Sequence, residues 1–485
     1  MSARAVARVR GGGFTLIEIT VALVAGLIVA MGIVGLSHEA TQTFNEETRN
    51  SAAEAAMRTA VDRLRADIAR AGYMSTGNIL SDPMIAHAPG LTNLQNLKNA
   101  GMMGIKELAA LQLIEGGSIL DPNVAILSAA QNPALTPDAL LIGGNMTCAE
   151  EFDVQLINPP SGTCQEIDLS PVSPAIYRVM TEGITSPLAS GCSGPGTCGQ
   201  LENVFAPVTG GGGSAQFMVR LLDDTGHTQY LATCPTGPIT GFRGVGTSAY
   251  PYVMIDSVNT PILTAVDTQG RGGVSGLSAG KAWINPVQIV RWELTSAPLE
   301  AVSQPQFAAI SNIVQSGQID PNKYDLMRSY VDVYGHVIKA TSEIVAEYAV
   351  DLDFAFTVDS SLVGATQPQL LSFAFEDHSN TNWAPDVSLE TSGASPPVNI
   401  GAQRIRSVRL RLVTRTALPD RVANVPVPNQ FAGASGPEEY MYRYCAPLPG
   451  QPLPNCTTVD GSLKWARTRT VTTEVALPNN SGGYY

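Results

Sequence analysis

Residues 14–36, from Phe14 to Leu36, form a run of 23 residues whose only charged side chain is Glu18. About 20 apolar residues, at about 1.5 Å rise each, cross the hydrocarbon core of a bilayer as one helix. The run therefore predicts a membrane-spanning helix and constrains the rest of the chain to build on it. A carboxylate inside such a segment costs about 2.5–3.5 kcal/mol on insertion scales, so Glu18 is not idle. Gly26, Gly32 and Gly35 interrupt the helix at about 1 kcal/mol each relative to alanine. Close helix packing and ordinary membrane-helix glycines both fit them.

Residues 1–13 carry Arg4, Arg8 and Arg10 with no acidic side chain, and end in three glycines. No small-x-small cleavage site follows the apolar run, so the break in character falls before the helix, at Gly13/Phe14. Basic residues stay in the cytoplasm, which sends the chain beyond Leu36 to the far side of the membrane.

Past Ser37 the helix changes solvent. Ala53, Met57, Ala60, Val61, Leu64, Ile68 and Ala71 recur at spacings of three and four, an apolar stripe opposite Glu54, Arg58, Asp62, Arg65 and Arg70. Gly72 is a plausible stop. Residues 74–142 read as irregular chain, with a short helix around Lys106–Leu113 and a first strand at Pro137–Ile142. From 143 to 285 glycine, proline, serine and threonine rise, and five of the seven cysteines fall there. This stretch reads as a loop-rich, disulfide-bearing insertion with short strands such as Ala175–Met180 and Gln216–Leu222.

Residues 286–485 read as an antiparallel sheet. Strands are predicted at Val287–Leu294 and Tyr330–Ile338, and at Trp465–Val475. Ala346, Tyr348, Val350, Leu352, Phe354, Phe356 and Val358 alternate with acidic residues, and Val408, Leu410 and Leu412 with arginines. Each is half apolar and half polar, as in a sheet packed on a helix through one face. The fold class expected is α+β: a long N-terminal helix on an antiparallel sheet head, with a large insertion.

The 485 residues are only 15% charged, against about a quarter in ordinary domains, and carry a net charge of −13. That balance argues against binding of nucleic acid or anionic lipid by the bulk of the chain. An oxidising compartment would let the cysteines pair. The simplest pairs are local in sequence: Cys148 with Cys164, Cys192 with Cys198, and Cys445 with Cys456, leaving Cys234 over. Nothing points to a metal or a cofactor: there is no CxxC, and His38, His87, His227, His336 and His378 are scattered. No GxSxG, HExxH, P-loop or dinucleotide fingerprint occurs, so no catalytic residue is assigned and an enzyme is not expected. Arg404, Arg406, Arg409, Arg411 and Arg415 could meet DNA phosphates, but they are better read as facing Asp351 and Asp353 across strands. Asp223-Asp224 and Asp320-Pro321-Asn322 lack the spacing of a calcium loop and read as turns.

The hexapeptide Gly13-Phe14-Thr15-Leu16-Ile17-Glu18, behind a short basic leader, resembles the class III signal of type IV prepilins. The resemblance implies that prepilin peptidase cuts after Gly13 and that Phe14 becomes the N-methylated N-terminus. It also implies that Glu18, at the fifth mature position, docks the helix by pairing with a freed amine. Asp67-Ile68-Ala69-Arg70-Ala71-Gly72-Tyr73 is similar to the corresponding stretch of PilW-type minor pilins. So are the acidic strand, the arginine-rich strand and the final strand with Arg467 and Arg469. The resemblance covers residues 1–73 and about 285–475.

Together with the residue patterns, which alone set the middle of the chain, it gives six segments: leader 1–13, membrane and filament-core helix 14–36, amphipathic helix 37–73, loop and first strand 74–142, insertion 143–285 and sheet 286–485. The implied place is the bacterial inner membrane as a single-pass precursor, then the pilus, at its tip. The implied partners are the peptidase, the major pilin, other minor pilins and a tip adhesin. The rival readings are a type II secretion pseudopilin, a pilus-borne adhesin and a DNA-uptake pilin. The largest tip pseudopilins usually lack the fifth-position glutamate, which Glu18 supplies.

Overall fold

The computed structural model describes residues 15–85, 101–114, 116–117, 137–147, 150–181, 201, 204–206, 215–236, 239–243, 250–263, 282–295, 323–361, 369–375, 401–416, 441–445 and 463–481. The chain forms two compact units, residues 1–55 and 56–485. Helix α1, Leu16–Ala69, contributes to both.

A one-turn helix α2, Met103–Lys106, comes next. Strands β1 (Leu111–Ile114), β2 (Ala139–Gly144), β3 (Phe152–Ile157) and β4 (Cys164–Leu169) lead to helix α3, Pro174–Thr181. Then come β5 (Met218–Asp223), β6 (Thr228–Ala232), β7 (Thr240–Arg243), β8 (Tyr250–Asp256), β9 (Ala282–Thr295), β10 (Asp325–Val331) and β11 (Glu343–Glu347). The last are β12 (Ala349–Asp359), β13 (Leu370–Ser372), β14 (Ile405–Arg415), β15 (Met441–Cys445) and β16 (Leu463–Ala476).

The fold is α+β and, among the described residues, mostly antiparallel sheet. Strands β1–β11 make one 11-stranded sheet and β12–β16 a second of five strands. The first is built along β9. Its residues 288–292 pair with β2, 289–295 with β10, 283–284 with β3, and 282–287 with β5. A proline inside a strand normally breaks a ladder. Pro286 falls where only β5 pairs with β9, so its missing N–H interrupts nothing on the other edge.

The amphipathic stripe is buried as its spacing demands. Met57, Ala60, Val61, Leu64, Ile68 and Ala71 join Trp292 and Leu326 of the large sheet and Phe354, Phe356 and Leu410 of the small one in a single core. A second core gathers Phe152, Ile167, Leu221, Ile255 and Ile284 under Ala175 and Ile176 of α3. Each fully buried side chain of this size contributes about 1.5–3 kcal/mol.

Several expectations need correction. The helix expected at Lys106–Leu113 is confined to α2, and Leu111–Ile114 is a strand because it finds Ala139–Ile142 to pair with. The strand expected at Ala175–Met180 is helix α3. Pro174 stands at its first position, where the missing N–H costs nothing. The strand expected at Tyr330–Ile338 stops at Val331, since Asp332 Oδ1 accepts the N–H groups of Tyr334 and His336, 2.9 Å each, and Gly335 turns at φ 88°.

The single C-terminal sheet expected for 286–485 is two. The alternation from Ala346 to Val358 breaks at Tyr348, whose φ of 57° ends β11 in one sheet and starts β12 in the other. A boundary at 285/286 would lie inside β9. The pairing of Cys148 with Cys164 is also overturned. Cys164 bonds Cys234, 70 residues on, with Cα atoms 5.7 Å apart. The physical reason is register: β4 pairs Cys164 with Asp256 of β8, while the Cys234 N–H donates to Met254 O of the same strand. Cys148, Cys192, Cys198 and Cys456 lie outside the described residues, and of Cys445 the backbone alone, in β15, is described.

Candidate docking helix

The hexapeptide that suggested docking sits at the start of α1. Gly13 and Phe14 lie outside the described residues; Thr15 and Glu18 do not. Thr15 directly precedes the first helical residue, and Glu18 is the third residue of the helix. The Thr15 N–H and hydroxyl donate to Glu18 Oε2 at 2.9 and 3.0 Å, and the Glu18 N–H donates to Thr15 Oγ1 at 3.3 Å. This is a capping box, in which the side-chain oxygens of Thr15 and Glu18 each accept the other residue's backbone N–H at the helix start. The sequence reading missed Thr15, although Thr-x-x-Glu before an apolar run is the signal for it.

Beyond the cap, Leu16–Thr41 is 26 residues of apolar helix, exposed along its length. It is long and apolar enough to cross a membrane. Built Cβ atoms at Gly26, Gly32 and Gly35 meet nothing within 4 Å. Among the described residues the three glycines therefore meet no packing partner.

In the unit of residues 56–485 the end of α1 is held by polar groups. Asp67 is buried and its Oδ2 accepts from Trp292 Nε1 of β9 at 3.0 Å and from Arg328 Nε of β10 at 2.7 Å. Burial lowers the affinity of Arg328 for its proton, but Asp67 outweighs this and drives it up. Glu343 of β11 takes the other side of Arg328 at 3.4 Å and also pairs with Arg63. Past the helix, Gly72 turns at φ 71° and donates its N–H to Gly143 O at 2.9 Å. Asn479 Nδ2 donates to the carbonyl of Ala69, the last of α1, at 3.0 Å and to that of Ala71, just past it, at 3.3 Å.

The arginine strand is internally engaged. Arg411 Nε donates to Asp353 at 2.8 Å and Arg406 Nη2 to Asp359 at 3.3 Å. Arg404 binds the carbonyl of Ser361, and Arg409 that of Phe373 while lying over the Phe375 ring. Arg415 stacks on Tyr348 at 4.9 Å. His227 and His336 close matching turns, with Nδ1 at 3.6 Å from Asp223 and 3.7 Å from Asp332. Among the described residues no group of three or more histidine, cysteine or acidic side chains is placed to hold a metal ion.

No family model matches this chain, and no curated protein and no solved structure matches it either.

Proposed function

We propose that this chain is a minor type IV pilin of the PilW-like kind, a non-enzymatic subunit of filament assembly. In this reading it enters the inner membrane with residues 1–13 in the cytoplasm. Prepilin peptidase cuts after Gly13, Phe14 is methylated, and the helix passes from lipid into a pilus beside the major pilin and other minor pilins. Its place is the tip or priming complex, because a head of more than 400 residues is too bulky to repeat along a thin filament. The observation that supports the reading is the run Gly13–Glu18 at the head of a bare 26-residue apolar helix whose first turn holds Glu18 ready at its outer end.

Mass analysis of the protein from membranes and from sheared pili tests it. The expected chain begins at N-methylated Phe14; a chain in both fractions that begins at Met1 sinks the reading. Glu18→Ala is expected to leave cleavage unchanged and to lower recovery in pili by about tenfold or more, the factor that about 1.4 kcal/mol represents. Recovery equal to wild type would remove Glu18 from docking. A copy number equal to the major pilin would rule out the tip.

A further inference from the structure

The two sheets meet along β12. Its Leu352 carbonyl accepts the Asp138 N–H at 2.7 Å, and its Phe354 N–H donates to Asp138 Oδ2 at 3.3 Å. Asp138 Oδ1 accepts the N–H of Gly116 at 3.1 Å. One residue beside β2 thus stitches the edge of the small sheet to the large one.

Leu352, Phe354 and Phe356 of β12 point into the core shared with α1, so Asp351 and Asp353 stand on the opposite face. Asp353 lies opposite Arg411 of β14 and receives both its Nε, at 2.8 Å, and its Nη2. The same Nη2 is 3.3 Å from Asp351 Oδ2. Both carboxyl oxygens of Asp351 are buried and neither receives a hydrogen bond, while the Asp353 carboxyl is within hydrogen-bonding reach.

Arg411 on β14 and Asp138 beside β2 act on this point, and further along the same face Arg409 lies opposite Ala355 with Glu474 of β16 opposite Arg409. Arg409 is engaged by the Phe373 carbonyl and the Phe375 ring, and Glu474 accepts from the Ser407 hydroxyl. One guanidinium therefore serves two buried carboxylates, with a third nearby. Two anions in so dry a place cost more than one cation repays. A proton between them removes one charge and supplies the donor that Asp351 lacks. Burial first, and then the Asp353 charge, push the Asp351 carboxyl well above the usual carboxylate range.

We propose that Asp351 and Asp353 share one proton beside Arg411, and that this proton latches β12 into the seam with Asp138, so the joint between the sheets tightens in mildly acid medium. All of these groups lie within residues 56–485, so the latch stands or falls apart from the filament reading.

Hydrogen exchange of the full chain in detergent, followed by mass spectrometry on peptides covering 349–359 and 137–144, tests it. After correction for intrinsic exchange rates, protection is expected to rise about tenfold or more from about pH 8 to pH 5.5, the factor carried by one displaced proton equilibrium. In Asp351→Asn the rise should shrink by that factor. A rise of the same size in wild type and variant, or none in wild type, overturns the latch. Should Asp351→Asn fail to fold, Asp353→Asn keeps a donor for Asp351 without a proton to lose, and must hold the protection level across the same range. Should neither fold, infrared titration of Asp325→Asn, which removes the other raised carboxyl, decides: absence of any carboxyl still protonated above about pH 6 overturns the latch. Protection at neutral pH that rises with added calcium or magnesium and falls with chelator would show a cation in the proton's place, and also overturns it.

Discussion

Asp67 carries the most at the scale of one residue. Its carboxylate is the shared acceptor for Trp292 and Arg328, both buried. Removing it leaves buried Arg328 with the more distant Glu343 alone, at 3.4 Å, and Trp292 Nε1 without its acceptor, a loss of about 3–5 kcal/mol. Asp67→Ala is therefore expected to lower the midpoint of urea unfolding by an amount equivalent to about 3–5 kcal/mol. Arg328→Met in the same background should restore part of it, because the stranded cation is gone. An Asp67→Ala midpoint within error of wild type would show that Glu343 alone suffices for Arg328.

Asp325 gives a pH dependence at the same scale. Burial raises its carboxyl from 3.8 to about 6, against the opposing pull of Lys323 at 3.3 Å and the Tyr348 N–H at 3.0 Å. A folded-state value above the unfolded one means that the native protein binds the proton more readily. The stability from this group is thus fully present below the unfolded value of 3.8 and lost as pH rises through about 6. The amount is on the order of 2–3 kcal/mol. Asp325→Asn should flatten the pH profile of thermal unfolding between about pH 4 and 6; a profile parallel to wild type would refute the assignment.

At the scale of elements, the close approach of α1's end to β2 depends on glycine. A Cβ on Gly144 would lie 2.7 Å from the Arg70 carbonyl and 3.4 Å from the Gly72 N–H. Both are backbone atoms and cannot swing aside. Gly144→Ala is expected to cost about 1–3 kcal/mol by overpacking, read as a lower unfolding midpoint, with exchange at residues 68–73 accelerated most. Acceleration spread evenly over the head would place the strain elsewhere. The link between β11 and β12 works by the same kind of local geometry. Tyr348 holds a left-handed φ, its N–H donates to Asp325 and its carbonyl accepts the Arg415 N–H at 2.9 Å, so both sheets grip the residue that joins them.

At the scale of the whole molecule, residues 143–285 are not an appendage. They supply β3–β8, and β9, which begins within them, is the strand along which the large sheet is built. Deleting them would remove part of that sheet, so loss of adhesion on such a deletion would not by itself identify a binding module. The Cys164–Cys234 bond closes this region across 70 residues. Replacing both cysteines by serine is expected to destabilise the head by about 2–4 kcal/mol, mainly by freeing the unfolded chain. Non-reducing peptide mapping should recover Cys164 linked to Cys234. A linkage of Cys164 to Cys148 would overturn the pairing.

What could be read from the order of residues was whatever depends on near neighbours. The apolar residues from Leu16 to Leu36 and the stripe from Met57 to Ile68 repeat within one helix, so both were legible. The strands at Val408–Leu412 and Trp465–Val475 were legible because side chains alternate on a strand whatever its partner. The Thr15–Glu18 cap is equally local, written in Thr-x-x-Glu before an apolar run.

The remainder was decided between distant segments. Leu111–Ile114 is a strand because Ala139–Ile142 lies beside it, and Cys164 meets Cys234 because β4 and β8 align them. Asp67 finds its cation 261 residues away on β10. The same alternating residues from Ala346 to Val358 could form one strand or two, and the choice rests on a positive φ at Tyr348 that Asp325 and Arg415 hold from separate sheets. Periodicity tells a segment which face to bury. Only the assembled core supplies the partners that face will meet.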